Sequence, residues 1–330
     1  MLVQIAGNKL KGLNHLNNIV LAFSVVSPLM LQMAVGYTLQ RRKITDAHSL
    51  NVMNKLVFRV FLPLLLFLNI YSLKLEEAFN RKNGALVLIS VISVVLSVVF
   101  MHFLFPRIIK DKKKCSVMIQ GIFRSNLVLF GIPIAASIYG ENRIGAVSLL
   151  AAFVVPLFNV LAVIVLEYYR GSKVNYKNIV LNILKNPLII ASFIAFLLLL
   201  LHIQLPDLII TPISSLSKVA TPLAFVVLGG TFRFDRITVN LKYLIGALLG
   251  KLVLFPVAVL AVAIGLGFRN DELVALIGLA ASPTAVSSFT MAVEMEADGE
   301  LAGQIVVFTS IISIITIFFL VYLLKTLCFI

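Results

Sequence analysis

Residues 123–140 read FRSNLVLFGIPIAASIYG. The stretch is apolar and long enough to enter a bilayer, where about 20 residues of helix cross a hydrocarbon core of roughly 30 Å. It nevertheless carries a charge, Arg124, an amide, Asn126, and the helix breaker Gly131-Ile132-Pro133. A proline removes one backbone donor and crowds the preceding turn. Lipid offers the freed carbonyl no partner, so such a break is tolerated only within the protein or beside a polar cavity. The stretch predicts a membrane helix broken inside a helix bundle.

The surrounding sequence agrees. Of 330 residues, 60% are hydrophobic and 13% charged, against about 25% charged in a soluble domain. Windows such as GALVLISVISVVLSVVFMHFLF (84–105) and GQIVVFTSIISIITIFFLVYLL (303–324) are free of charge. Ten spans are predicted, at about 18–39, 50–72, 84–106, 115–139, 145–168, 187–204, 208–231, 240–266, 272–294 and 302–325. The fold class is therefore an all-α polytopic membrane protein. Lys9 and Lys11 precede an apolar run that is too long for a signal peptide and reads as the first span.

The net charge of +14 does not point to nucleic acid. The basic residues cluster between spans, as in RRK (41–43), KDKKK (110–114) and RGSK (170–173). That placement fixes orientation against an anionic cytoplasmic leaflet. With the N-terminus outside, inside loops hold 15 Lys and Arg and outside segments hold 8. Both termini are thus expected outside the cell membrane. The last inside loop, EMEADGE, carries neither Lys nor Arg. Cys115 and Cys328 offer no disulfide framework, and His15, His48, His102 and His202 share no metal-binding spacing. No cofactor is expected. The partners expected are a small-molecule substrate and the bilayer, with a homodimer left open.

The two halves of the chain look alike. RVFLPL begins at Arg59 and KVATPL at Lys218, and the same interval separates Pro28 from Pro187. Spans 4–5 and 9–10 superpose at a similar offset. Residues 1–170 and 171–330 are read as two repeats of five spans. Five is odd, so the second repeat enters from the opposite side, an inverted arrangement typical of secondary transporters.

Spans 4 and 9 occupy equivalent positions and both combine breakers with polar side chains. Span 9 holds ASPTAVSSF (281–289), with Pro283, Thr284, Ser287 and Ser288. The hydroxyls either meet a ligand or bond back to their own helix. Arg124 either pairs with a substrate carboxylate or is a structural, snorkelling arginine. Lys251, deep in span 8, either balances an anion or hydrogen-bonds a broken helix. Asn159 and Asn69 are read as helix-packing residues. No Asp or Glu falls at mid-membrane, so no sodium site is expected.

NLVLFGIP followed by YG resembles the fourth helix of the auxin efflux carrier family, and SPTAVSSFTMAVE is similar to its ninth. The resemblance extends over the whole chain, with the short central loop of the prokaryotic, malate- or malonate-permease-like branch. It implies a sodium/proton-antiporter-like fold in which unwound helices 4 and 9 cross. It also implies transport of small organic anions, with Asn126 at the substrate carboxylate. The plant pattern has prolines where this chain has Ser125 and Ser288. The expected substrate-binding set is Arg124, Asn126, Gly131, Pro133, Lys251, Pro283, Thr284, Ser287 and Ser288. A passive anion channel and a membrane-embedded enzyme are the alternatives; the sequence lacks HExxH, GxSxG and paired intramembrane aspartates.

Overall fold

The computed structural model describes residues 26–72, 81–140, 143–171 and 176–330. Lys9, Lys11, His15 and the start of the predicted first span lie outside the described residues.

The described chain is helical, and its one β-type pairing is an isolated bridge. In order, the helices are α1 (26–41), α2 (Ala47–Tyr71), α3 (Arg81–Ile108), α4 (Lys112–Phe123), α5 (Leu127–Tyr139), α6 (Gly145–Arg170), α7 (Tyr176–Leu184), α8 (Pro187–Leu200), α9 (Asp207–Thr231), α10 (Phe234–Gly265), α11 (Asp271–Ala281), α12 (Ser287–Glu294) and α13 (Gly299–Thr326). Among the described residues six are long and apolar enough to cross a membrane: α2, α3 from Asn83, α6, α9, α10 and α13. α5 and α8 are shorter apolar helices. The outer surface carries large exposed apolar side chains, among them Leu88, Phe100, Phe193, Leu254 and Phe319. A soluble protein does not expose such a continuous apolar surface; a lipid-facing one does.

Helix ends follow local chemistry. Asp46 caps α2 by accepting from the Ser49 amide at 2.7 Å. Hydrogen bonding from Ser49, side chain and backbone, holds the Asp46 carboxyl below the usual carboxylate range. Asn186 caps α8 in the same way, with Pro187 in the first turn. Among the described residues three helices contain one widened, π-type turn: Val57–Phe61, Leu127–Gly131 and Gly250–Leu254. Each ends two residues before a proline: Pro63, Pro133 and Pro256. A proline cannot donate to the carbonyl four residues back and its ring crowds that carbonyl, so the turn opens. Pro156 sits inside α6 without one.

Small residues set the closest helix approaches. α1 and α9 touch backbone to backbone, so a Cβ on Gly229 would lie 2.0 Å from the Met33 carbonyl oxygen. α5 and α11 touch at Gly131 and Gly278, where a Cβ on Gly278 would lie 2.8 Å from the Gly131 Cα. Membrane helices pack by such contacts because lipid removes any hydrophobic drive between them.

The linkers gather at two ends of the bundle. At the basic end, the EMEADGE loop is paired with cations from three other helices. Glu294 meets Arg59 at 3.2 Å, Glu296 meets Arg170 at 2.8 Å and Asp298 meets Lys114 at 3.9 Å. The loop without Lys or Arg is thus the counter-charge of the basic face. At the other end Arg143 pairs with Asp271 at 3.0 Å, and the Asn270 amide donates to the Phe329 carbonyl at 2.9 Å.

Candidate functional site

The two broken helices meet at their breaks. α4 ends at Phe123, Arg124 is extended, and Asn126 leads into α5. α11 ends at Ala281 and α12 begins at Ser287. Between them Ser125 and Thr284 form an antiparallel bridge, and the Asn126 amide donates to the Pro283 carbonyl at 2.8 Å. Each extended strip therefore supplies partners for the backbone groups that the other strip frees. This meets the requirement that irregular backbone at membrane depth be satisfied within the protein.

The break in span 4 is not where the sequence reading puts it. Gly131 and Pro133 do not break the helix. Pro133 stands where regular α-helix resumes after a widened turn, and Gly131 is buried against Gly278. The unwound residues are Arg124–Asn126, which find backbone partners across the crossing. The crossing in span 9 likewise lies at Ser282–Val286, and Ser288, expected at the crossover, belongs to α12.

The hydroxyls at the bridge cap the opposing helix ends. Thr284 donates to the Gly121 carbonyl near the end of α4 at 2.6 Å, and its own amide donates to Thr309 Oγ1 at 3.1 Å. Ser125 donates to the Leu279 carbonyl near the end of α11. Helix C-termini carry partial negative charge, and two of them converge here. The buried ammonium of Lys251 lies beside them through Ser125, while the buried guanidinium of Arg124 reaches the first turns of α12.

Lys251, in the widened turn of α10, is fully buried and donates to Ser125 Oγ. Its ammonium lies 5.4 Å from the centre of the Phe255 ring. Arg124 is also buried. Its guanidinium donates to Ser287 Oγ at 2.7 Å and to Asn159 Oδ1, and reaches the Met291 sulfur. Asn159 in turn donates to the Val155 carbonyl at 2.8 Å. Neither cation meets a carboxylate among the described residues. The side chain of Asn126 is half-buried and does not cap α5.

Of the expected set, Arg124, Asn126, Lys251, Pro283, Thr284 and Ser287 converge on the crossing. Ser288 lies one step away, its carbonyl accepting from Gln120 Nε2 at 2.8 Å. Gly131 and Pro133 lie further along α5. Sequence reasoning missed Ser125 as the bridging residue, and gave Asn159 only a packing role although it orients Arg124.

A second polar feature surrounds α12. Asn54 Oδ1, Gln120 Oε1, Ser288 Oγ, Thr290 Oγ1 and both amide atoms of Gln304 are buried without a hydrogen-bond partner among the described residues. Buried polar atoms are seldom left so. Asn54 Nδ2 reaches the Thr290 carbonyl at 3.3 Å, linking α2 to α12. Toward the basic end, a cavity of about 210 Å³ opens between α9, α12 and α13, lined by Thr231, Arg233, Glu300 and Gln304 among others.

Comparison with known proteins is consistent with this architecture. The family described as membrane transport protein matches residues 21–321. Curated relatives named uncharacterized transporter YfdV, from Escherichia coli (strain K12) and Shigella flexneri, are 22% identical over 276 residues, spanning 80% of this chain and 85% of theirs. Family and relatives point to transport rather than catalysis. With the match running over nearly its whole length, the chain belongs to the auxin efflux carrier family of membrane transport proteins.

Proposed function

We propose that this protein is a secondary transporter of small organic anions, mono- or dicarboxylates, working by alternating access. The carrying observation is the pair of buried cations, Arg124 and Lys251, at a crossing of broken helices with no carboxylate partner among the described residues. A buried charge is costly unless paired. An anion bound at the crossing would supply the missing charge. Asn126, Ser287 and the first amides of α5 and α12 would replace its hydration. The unpartnered polar atoms around α12 and the cavity at Gln304 support a polar route from the basic end toward the crossing.

Ten spans in two inverted repeats are part of this proposal. The interval between Ser125 and Thr284 is the one that separates RVFLPL from KVATPL. A twofold axis in the membrane plane brings equivalent residues together antiparallel, as this bridge does. An elevator-like or rocking motion of the crossing against α1, α2, α8 and α9 would expose the site alternately.

The test is uptake into proteoliposomes from a panel of labelled mono- and dicarboxylates, with binding measured on the purified protein. For whichever carboxylate is taken up, Asn126→Ala is expected to weaken binding roughly ten- to a hundredfold, the worth of one charge-assisted hydrogen bond. Asn126→Asp is expected to do worse by adding a like charge. Unchanged affinity in both would move the site away from the crossing. No saturable uptake of any carboxylate would end the proposal.

Both termini are proposed to lie outside, with the basic end in the cytoplasm. On a background lacking Cys115 and Cys328, Lys112→Cys should react with an impermeant thiol reagent only once the membrane is opened. Labelling from the external side of intact cells would reverse the orientation.

A further inference from the structure

At the basic end, away from the crossing, the last turns of α3 and α6 and the first turn of α4 enclose a cavity of about 270 Å³. His102, Lys110, Lys112, Tyr168 and Tyr169 provide its polar lining, with Pro106 and Ile109 among its apolar walls. No carboxylate lines it among the described residues. The imidazole is held in place: Tyr169 OH lies 3.0 Å from His102 Nδ1. The Tyr168 ring packs edge-on against it at 4.8 Å. With Nδ1 engaged, Nε2 is the nitrogen left for another partner. Lys112 Nζ donates to the Gly171 carbonyl at 3.2 Å, which keeps that lysine over the end of α6.

The neighbouring carboxylates are committed elsewhere. Asp111 accepts from the Lys113 and Lys114 amides at 2.9 and 3.3 Å. Glu167 accepts from Arg170 at 3.2 Å and Asn182 at 3.0 Å. The cavity is therefore positive, aromatic and partly apolar. It lies where α3 leaves the membrane, next to the exposed apolar side chains of Phe103 and Ile108.

We propose that this cavity binds a phosphate group, and that in the membrane the phosphate is that of an anionic phospholipid. Two ammonium groups and an imidazole match a multiply charged oxyanion, and a Tyr hydroxyl adds a donor. Basic pockets between helix ends select anionic headgroups through this chemistry. The exposed apolar side chains below the cavity suit the acyl chains that follow a headgroup and would do nothing for a free ion.

The test uses the full-length protein in detergent. Its unfolding temperature and retained lipid, the latter by native mass spectrometry, are measured with phosphatidylglycerol, phosphatidylcholine or inorganic phosphate. Phosphatidylglycerol is expected to be retained and to raise the unfolding temperature, and phosphatidylcholine is not. Lys110→Gln with Lys112→Gln should weaken phosphatidylglycerol binding roughly tenfold to thirtyfold, since each basic residue near an anionic headgroup contributes a several-fold factor. Lys110→Gln alone, at an exposed position, should give part of that loss if the double variant does not fold. Arg42→Gln with Lys43→Gln, at the same end, should change nothing. Stabilisation by inorganic phosphate in the wild type but not the variant would keep the phosphate site and assign it to a soluble phosphate. Undiminished phosphatidylglycerol binding in the lysine variants, or an equal loss in the Arg42/Lys43 control, would overturn the site.

Discussion

Lys251→Met is expected to yield a folded protein that does not transport. The ammonium is fully buried, donates to Ser125 and faces no carboxylate among the described residues. Replacing a buried charge that has no carboxylate partner by an apolar side chain of similar volume removes the cost of keeping that charge out of water. Ser125 keeps its bond to the Leu279 carbonyl, so no orphaned polar group is created. Stability should hold or rise while uptake falls below detection, because half of the positive charge offered to the substrate is gone. Thermal unfolding and proteoliposome uptake on one preparation check this. Wild-type uptake by the folded variant would remove Lys251 from the site. Failure to fold would instead make the lysine a structural support of the crossing.

Gly278→Val is expected to prevent recovery of folded protein. A Cβ there would lie 2.8 Å from the Gly131 Cα and 3.1 Å from Leu127 Cδ1. The first of these is backbone of a packed helix and cannot swing aside. Even Gly278→Ala should cost about 1–3 kcal/mol, the usual range for overpacking. Gly145→Ala serves as the control, since a Cβ there meets nothing within 4 Å. Monodispersity in detergent and the unfolding temperature are the measurements. A Gly278→Val protein as stable as wild type would mean that α5 and α11 do not approach at these glycines.

Much of the crossing is legible in the sequence because two independent signals coincide there. Polar side chains and breakers appear together in two apolar segments, and similar short strings recur at one offset, the one that carries Arg59 to Lys218 and Pro28 to Pro187. Applied to Ser125, that offset lands on Thr284, the residue it pairs with. The pairing can be found from that offset alone. The position of the break in span 4 is not legible, because proline is the visible breaker and points to the wrong turn. Pro133 widens a turn; the unwinding at Arg124–Asn126 is sustained by hydrogen bonds to a segment in the other half of the chain. Local propensity carries no trace of such partners. Asn159 reads as helix-packing glue because a lone asparagine in a long apolar helix gives no direction. Its role emerges only once the Arg124 guanidinium is seen against it.

The widened turns have a consequence for how single helices are shared. One residue more than an α-turn holds advances the helix beyond it by about 100° in angular phase. The apolar stripe before such a turn and the stripe after it therefore look in different directions. In α10, residues 237–249 pack on α13 and α4, and residues 255–265 pack on α11 and α3. In α2, residues 47–56 pack on the second half of α9, and residues 62–71 pack on α8 and the first half of α9. A span so phased docks two sets of neighbours, one on each side of the widened turn. Lys251 stands in the turn where the phase changes, between the stripe that meets α4 and the stripe that meets α11, so one side chain lies beside both halves of the crossing.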